Sequence, residues 1–326
     1  MKSLKLVKEK KEDFSYLPSP DDLSGFIGQE RAIEQIERYA QKAALDKKAF
    51  TSIIVIGKTG CGKTAIAKAM AKVAGSSYYS LMVTSDMSRH DILYIVEKAE
   101  RAGAEYVLIH LDEAHNLSRA LREMLYSFFE CGSLPLIADG AIDPLVTRKV
   151  PKLTFVFTTN YPGALGKEFK NRLPRIELDD YTIEDIKKIV SIGGTKMGLS
   201  FEGDSLARLA MAANETPREG LMYAWDITKL FSEKVVDSAI VDKYFSLKKI
   251  DSTGLPHYHN KVLKFLFNQP NYTARLGVLS SVLGVDTKLI QSTIEPTLFQ
   301  KHLINSTSMG RKLTRRGIDF VLSLNS

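Results

Sequence analysis

Apolar residues change their spacing twice along this chain, and the changes predict three kinds of architecture. Up to Leu178 the strongest signals are short, nearly continuous apolar runs: Ile53-Ile54-Val55-Ile56, Tyr78 to Val83, Val107-Leu108-Ile109-His110-Leu111, Leu153 to Thr158, and Ile176-Glu177-Leu178. Such runs suit strands covered on both faces, as in a parallel sheet. Between them the period becomes helical. Ile33, Ile36, Ala40 and Ala44 mark a helix over Glu30 to Ala44, Asp91 to Arg101 reads as a helix stopped by Gly103, and Leu117, Leu121, Leu125 and Phe128 line one face of His115 to Glu130. From Thr182 the strand signals cease, and helices are expected at Ile183 to Ile192, Ser205 to Asn214 and Arg218 to Glu233. A third pattern begins near Asp251: helices at His259 to Asn268, Ala274 to Leu283 and Thr287 to Lys301, followed by Leu303-Ile304, Gly310 and Arg311-Lys312-Leu313-Thr314 as a two-stranded wing. Three helices and a hairpin describe a winged helix. The expected layout is a loose arm over 1–20 ending in Pro18 and Pro20, an α/β domain over 21–181, a helical lid over 182–248 and a winged helix over 249–326.

The first strand runs into Gly57-Lys58-Thr59-Gly60-Cys61-Gly62-Lys63-Thr64, and Ala65 to Ala71 continue as a helix. This is G-x-x-x-x-G-K-[ST] in its strand–loop–helix context. Glycines let the backbone N–H groups face a phosphate chain, and the helix N-terminus adds positive potential there. Lys63 would reach the β- and γ-phosphates of ATP, and Thr64 would offer its hydroxyl to Mg²⁺. The third strand ends in Asp112-Glu113-Ala114-His115. Ligands gather at the carboxyl ends of parallel strands, so these acids should lie beside the loop, Asp112 holding Mg²⁺ and Glu113 polarising the attacking water. His115 is expected to serve the start of the following helix.

Further polar groups fall at matching points. Thr159-Asn160 ends the next strand, where either side chain can orient the water. Arg172 is a candidate arginine finger, and Lys170 in the same segment is an alternative. Thr216-Pro217-Arg218 opens a helix, with Pro217 suited to its first turn and Arg218 able to meet an anion. Phe26-Ile27 can wall an adenine pocket or belong to the core. Leu134 to Ala138 and Ile142 to Val146 flank Asp139-Gly140, a hairpin signal whose apolar strands can cap the core or meet a partner.

Composition changes this picture at one place. Hydrophobic content of 44% and charged content of 25% are those of a globular protein. Two cysteines, one inside the phosphate loop, indicate a reducing compartment. No apolar run reaches the roughly 20 residues needed to cross a bilayer, and the lysine-rich Met1 to Asp13 lacks a following apolar core, so a cytoplasmic protein is expected. The net charge is +7, and residues 246–326, with eleven Lys and Arg against four Asp and Glu, carry all of it. A polyanion contacting the winged helix through Arg311, Lys312, Arg315 and Arg316 is the reading that follows.

These residues, from about Pro20 to Gly317, resemble the RuvB family of AAA+ motors that migrate Holliday junctions. The loop and Asp112-Glu113-Ala114-His115 are common to many AAA+ ATPases. More specific are Phe26-Ile27-Gly28-Gln29, Tyr181-Thr182-Ile183-Glu184, Thr216-Pro217-Arg218, and Ile294-Glu295-Pro296 followed by Gly310-Arg311. The resemblance implies Asp112 and Glu113 as Walker B and Asn160 or Thr159 as first sensor. It makes Arg172 a finger acting in a neighbouring subunit, Tyr181 an adenine-site tyrosine, Arg218 a second sensor and Arg311 a DNA contact. The nucleotide set becomes Phe26, Ile27, Gly60, Cys61, Gly62, Lys63, Thr64, Ala65, Tyr181, Pro217 and Arg218. It also implies a hexameric ring around duplex DNA at a four-way junction, with a RuvA-like partner met by the 134–147 hairpin. The chain departs from the family at Ser19-Pro20, in its Gly57-Lys58-Thr59-Gly60 variant of the loop, and at Ser306 and Met309, where basic residues are usual. The rival reading is a nucleotide-switched DNA-binding initiator or helicase loader. A weaker one is a protein remodeller whose winged domain grips protein.

Overall fold

The structure, a computed structural model, describes residues 17–131, 137–138, 141–142, 151–214, 216–251 and 254–324. The chain divides into two compact units, Met1–Met197 with Glu215–Met222, and Gly198–Asn214 with Tyr223–Ser326.

The first unit is built on a five-stranded, wholly parallel sheet in the order Ser77–Met82, Tyr106–Asp112, Lys152–Thr159, Ile53–Ile56, Arg175–Glu177. Side chains alternate across it, and each strand therefore feeds two cores. Ile54, Val107, Ile109, Leu111, Phe155 and Phe157 face the helices Arg89–Arg101 and Arg119–Cys131 through Ile92, Val96, Leu121 and Leu125. Ile53, Val55, Leu108, Val156 and Ile176 face Ile36, Ile66 and Met70 of the helices Glu30–Asp46 and Lys63–Val73. Helix Glu30–Asp46 buries Ala32, Ile36 and Ala40, one residue per turn, and stops where Lys47 turns left-handed at φ 51°. The first core holds an aromatic cluster in which Phe157 and Phe169 stand edge to face with centroids 5.0 Å apart. The expected hairpin is represented by Ile137–Ala138 paired antiparallel with Ala141–Ile142, while Asp139-Gly140 and the rest of 134–147 lie outside the described residues.

The second unit holds a strand pair that the hydrophobic pattern does not predict. Ser200–Phe201 and Val235–Val236 pair in parallel among the helices Ser205–Ala212 and Ser238–Lys248. Two residues per strand are too few to show a period. The winged helix follows with helices His257–Phe267 and Leu276–Leu283 and a third running from Thr287 to Gln300. That third helix takes a π-helical course over Ile290–Ile294, just before Pro296, which has no N–H for the regular ladder. Its sheet has three strands, not two: Thr273–Ala274, Gly310–Leu313 and Ile304–Thr307. Arg315 and Arg316 are not on the wing but open a further helix, Arg315–Ser323, capped by the Thr314 hydroxyl on the Gly317 N–H at 3.0 Å.

Candidate functional site

The carboxyl ends of strands Ile53–Ile56, Tyr106–Asp112 and Lys152–Thr159 deliver the expected residues to one place. Gly57 N–H donates to the Thr159 carbonyl at 3.2 Å, so the phosphate loop leaves its strand alongside the end of the neighbouring one. The loop turns at Gly60 (φ 78°) and Gly62 (φ 95°), and helix Lys63–Val73 begins at once, aiming its first N–H groups into the loop. The Lys63 ammonium is buried and donates to the carbonyls of Gly57 (2.9 Å) and Lys58 (2.8 Å), which hold it across the loop mouth. Cys61 is buried as well, and burial raises its thiol pKa.

Asp112 is fixed from one side. Its Oδ1 accepts the Thr158 hydroxyl at 2.6 Å and the Glu113 N–H at 3.0 Å. Its Oδ2 faces the Thr64 hydroxyl at 3.4 Å. Adjacent ligands of a Mg²⁺ ion bound at about 2.1 Å stand about 3 Å apart, so this pair suits two positions of one octahedral shell. Among the described residues no group of three His, Cys, Asp or Glu could enclose a metal. Asp112 Oδ2 and Thr64 Oγ1 thus offer one carboxylate and one hydroxyl side by side, a donor pair that fits a Mg²⁺ held mainly by phosphates and water.

Glu113 lies in left-handed backbone (φ 55°, ψ 43°), a conformation that costs a residue with a Cβ about 1 kcal/mol. The turn swings its carboxylate away from the strand to His115, whose Nδ1 is 3.3 Å from Glu113 Oε2 and 3.2 Å from Thr159 Oγ1. Thr159 also accepts the Tyr161 N–H at 2.9 Å, so its hydroxyl is engaged within the protein. Asn160 instead reaches the loop, with its Nδ2 donating to Thr59 Oγ1 at 3.1 Å and its buried Oδ1 without a partner among the described residues. An unmatched acceptor beside a phosphate loop fits a site that receives a water or another donor.

Tyr181 donates its hydroxyl to the Cys61 carbonyl at 3.0 Å, and burial pushes its phenol pKa up. A Cβ at Gly62 would stand 3.8 Å from both this hydroxyl and Phe26 Cε1, so the two rings flank the loop. Phe26 also packs on the core, as does its neighbourhood through buried Gln29, which exchanges two hydrogen bonds with the Asp179 backbone (2.9 and 3.0 Å). Ile27 and Ala65 are half-buried. Helix Pro217–Leu230 begins at Pro217, and the Arg218 N–H approaches the Gly60 carbonyl at 3.4 Å. Arg172 is not part of this cluster. At the end of helix Lys167–Arg172, which also carries Lys170, its guanidinium pairs with Glu130 and lies 4.8 Å over the Tyr126 ring.

In the winged helix Lys312, Arg315 and Arg316 are exposed. Arg311 is engaged elsewhere: it pairs with both oxygens of buried Glu295, at 2.7 and 2.9 Å. The sequence reading of Arg311 rested on its place in the wing and missed this partner, sixteen residues earlier. It also missed Thr158, His110 and Tyr78, which stand behind Asp112 and which strand periodicity presents as ordinary interior positions.

A P-loop nucleotide site at the edge of a parallel sheet, followed in the chain by a winged helix, defines a P-loop ATPase of the AAA+ class. Comparison narrows this. The family model of the Holliday junction DNA helicase RuvB P-loop domain matches residues 19–177, and that of the RuvB C-terminal winged helix domain matches residues 252–322. The chain belongs to the RuvB family. Its relatives include the Holliday junction branch migration complex subunit RuvB of Mesomycoplasma hyopneumoniae, 26% identical over 94% of this chain and 97% of that one. The subunit of the same name from Prochlorococcus marinus is 28% identical over 98% and 90%. The fold matches the Thermotoga maritima RuvB Holliday junction branch migration motor with a TM-score of 0.75 at 23% identity, covering 93% of this chain and 97% of that one. Both family models are those of RuvB, which does not favour the initiator or loader reading.

Proposed function

We propose that this protein is an ATP-driven motor that migrates four-way DNA junctions, working as a hexameric ring around duplex DNA. The observation that carries the reading is that RuvB-type P-loop and winged-helix domains occur in one chain whose phosphate loop brings Thr64 beside Asp112, with Glu113 next in the chain. Lys63 and the loop N–H groups would hold the phosphates, and Thr64 and Asp112 the Mg²⁺, which neutralises phosphate charge when bound. Glu113 would draw a proton from the attacking water, with Asn160 on the loop side and Thr159 through His115 supporting the water's position. Phe26 and Tyr181 would flank the adenine, and Arg218 would answer the nucleotide from beside Gly60. Because Arg172 sits on Glu130 and Tyr126, away from its own loop, its finger role would be exercised on the ATP of a neighbouring subunit.

DNA contact would fall to Lys312, Arg315 and Arg316, with Arg311, on the same strand as Lys312 and held by Glu295, beside them. Two arginines in the first turn of helix Arg315–Ser323 oppose the helix dipole, an arrangement that an incoming phosphate would relieve. A RuvA-like protein is the partner that the relatives' naming as a complex subunit suggests, and the 134–147 segment, most of it outside the described residues, is the candidate contact. Work on DNA junctions would keep the protein in the cytoplasm. Among the described residues no helix is long and apolar enough to cross a membrane.

The test is a four-way-junction migration assay with ATP, alone and with a junction-binding partner, alongside DNA-stimulated ATPase. Lys63→Ala and Glu113→Gln should abolish both. Mixed Arg172→Ala and Lys63→Ala subunits should recover part of the ATPase if the site is shared. DNA stimulation that survives Glu113→Gln, or ATPase without any junction movement, would overturn the reading.

A further inference from the structure

Behind Asp112 runs a line of polar side chains, His110 and Thr158 buried, Tyr78 half-buried and Ser80 exposed, that no loop or strand-end motif accounts for. His110 is completely buried two residues before Asp112 on the same strand. Its Nδ1 is 2.8 Å from the Tyr78 hydroxyl and 3.1 Å from the Ser80 hydroxyl on the neighbouring strand. Its Nε2 is 2.8 Å from the Thr158 hydroxyl on the strand beyond, and that hydroxyl is 2.6 Å from Asp112 Oδ1. Register explains the alignment. Ser80 pairs with His110 and His110 with Val156, so Thr158, two residues further, presents its side chain on the same face.

The direction of each hydrogen bond follows from its last member. An ionised carboxylate only accepts, so Thr158 donates to Asp112. The Thr158 oxygen is then the acceptor for His110, which places the imidazole proton on Nε2 and leaves Nδ1 to accept from Tyr78 and Ser80. All the donors point towards Asp112, and bonds so aligned polarise and strengthen one another.

We infer that His110 is a positioning residue that, through the Thr158 hydroxyl, locks the Asp112 carboxylate with Oδ1 tied back and Oδ2 presented beside Thr64 for the Mg²⁺ of the bound nucleotide. A histidine in the middle of a buried strand is a costly way to fill space, because both nitrogens need partners. Here each has one, and the chain of partners ends on the metal-facing acid. Without His110 the Thr158 oxygen loses its donor, so the bond its hydroxyl gives Oδ1 is no longer polarised or aimed from behind, and the Glu113 N–H remains as the other contact on Oδ1. Outer hydrogen bonds of this kind typically govern metal affinity by 10–100-fold.

The inference rests on the reading of Asp112 as the Mg²⁺ carboxylate, and the experiment separates the two. Affinity of the full chain for a fluorescent ADP is measured with magnesium and with EDTA, and the ratio reports how far the metal strengthens nucleotide binding. His110→Phe, which keeps shape and burial, should lower that ratio about tenfold while leaving the EDTA affinity unchanged. Thr158→Val should do the same, and the double variant should be no worse than either single one, since both cut one line. Tyr78→Phe should have a smaller effect because Ser80 still donates. Asp112→Asn is the control, and if it leaves the ratio intact the metal assignment itself is wrong. If Asp112→Asn removes the metal gain while His110→Phe and Thr158→Val retain it, His110 only fills the strand and the inference falls. Should His110→Phe not fold, an unchanged ratio in Thr158→Val overturns the inference equally, because His110 acts only through that hydroxyl.

Discussion

His259 should make the winged helix sensitive to mild acid. It lies on helix His257–Phe267, is 5% exposed, and among the described residues neither ring nitrogen makes a well-formed hydrogen bond. Burial lowers its pKa to about 4 against the opposing pull of the Thr293 backbone, with Lys301 adding to the depression and Asp251 and the Pro256 backbone opposing it less. In the unfolded chain the same group titrates at about 6.5. As pH falls below 6.5 the unfolded state binds a proton that the folded state refuses, so stability drops until the folded group titrates near pH 4, and the slope then vanishes. At about 1.36 kcal/mol per pH unit, a depression from 6.5 to about 4 amounts to about 3 kcal/mol in full, and about 2 kcal/mol of it is lost between pH 7.5 and 5. The substitution to make is His259→Leu, which keeps the volume and removes both nitrogens. Trp225, the only tryptophan, belongs to the same unit, so urea unfolding followed by its fluorescence reports on this part of the molecule. His259→Leu should be about 1 kcal/mol more stable than the parent at pH 7.5, where unmatched buried nitrogens are the only cost. It should also lose about 2 kcal/mol less between pH 7.5 and 5. An equal loss in both proteins would show that His259 carries no proton-linked stability and would refute the reasoning.

Gly60→Ala forces a Cβ into backbone at φ 78° and to within 2.6 Å of Thr216 Cγ2, so it should push Thr216-Pro217-Arg218 off the loop and weaken ADP affinity about tenfold, measured by titration. Arg311→Ala strands the buried Glu295 carboxylate and should destabilise the second unit by about 3–5 kcal/mol in the Trp225 unfolding curve, whereas Arg311→Met with Glu295→Leu should recover most of it. If Arg311 were chiefly a DNA contact, its loss would cut binding and leave stability alone. Alanine at Lys312, Arg315 or Arg316 should each reduce the slope of log affinity for duplex DNA against log salt by about 1, without changing the unfolding curve.

Much of the first unit was legible in the sequence because its signals are local. A phosphate loop announces itself over eight residues, and Asp112-Glu113 follows directly on an apolar run, so loop, strand end and covering helices could all be placed before any contact was known. Continuous apolar runs also identified buried parallel strands, since both faces of Ile53–Ile56 and Lys152–Thr159 meet helices. What escaped was pairing at a distance. Tyr78, His110 and Thr158 lie 32 and 48 residues apart, and each reads as one more interior strand position until register brings them into line. Arg311 reads as surface charge because Glu295, its partner, sits inside a helix at a position that periodicity assigns to the core. The helix Arg315–Ser323 was hidden by its brevity and by Gly317, yet that glycine is needed, since a Cβ there would lie 2.1 Å from the Leu303 carbonyl.

The same division explains how the site is built. Groups that touch nucleotide directly are concentrated at loop and strand ends, where the backbone itself must do the binding and only certain residue types fit, so they leave motifs. Groups that aim those residues are drawn from whatever the sheet places behind them, and their identity is free as long as the hydrogen bonds close. Asp112 therefore has a predictable position and an unpredictable support. A relative with an apolar residue in place of His110 would need to hold its acid by other means, and exchanging His110 alone, with the loop and Glu113 intact, separates the holding of the acid from the chemistry it serves.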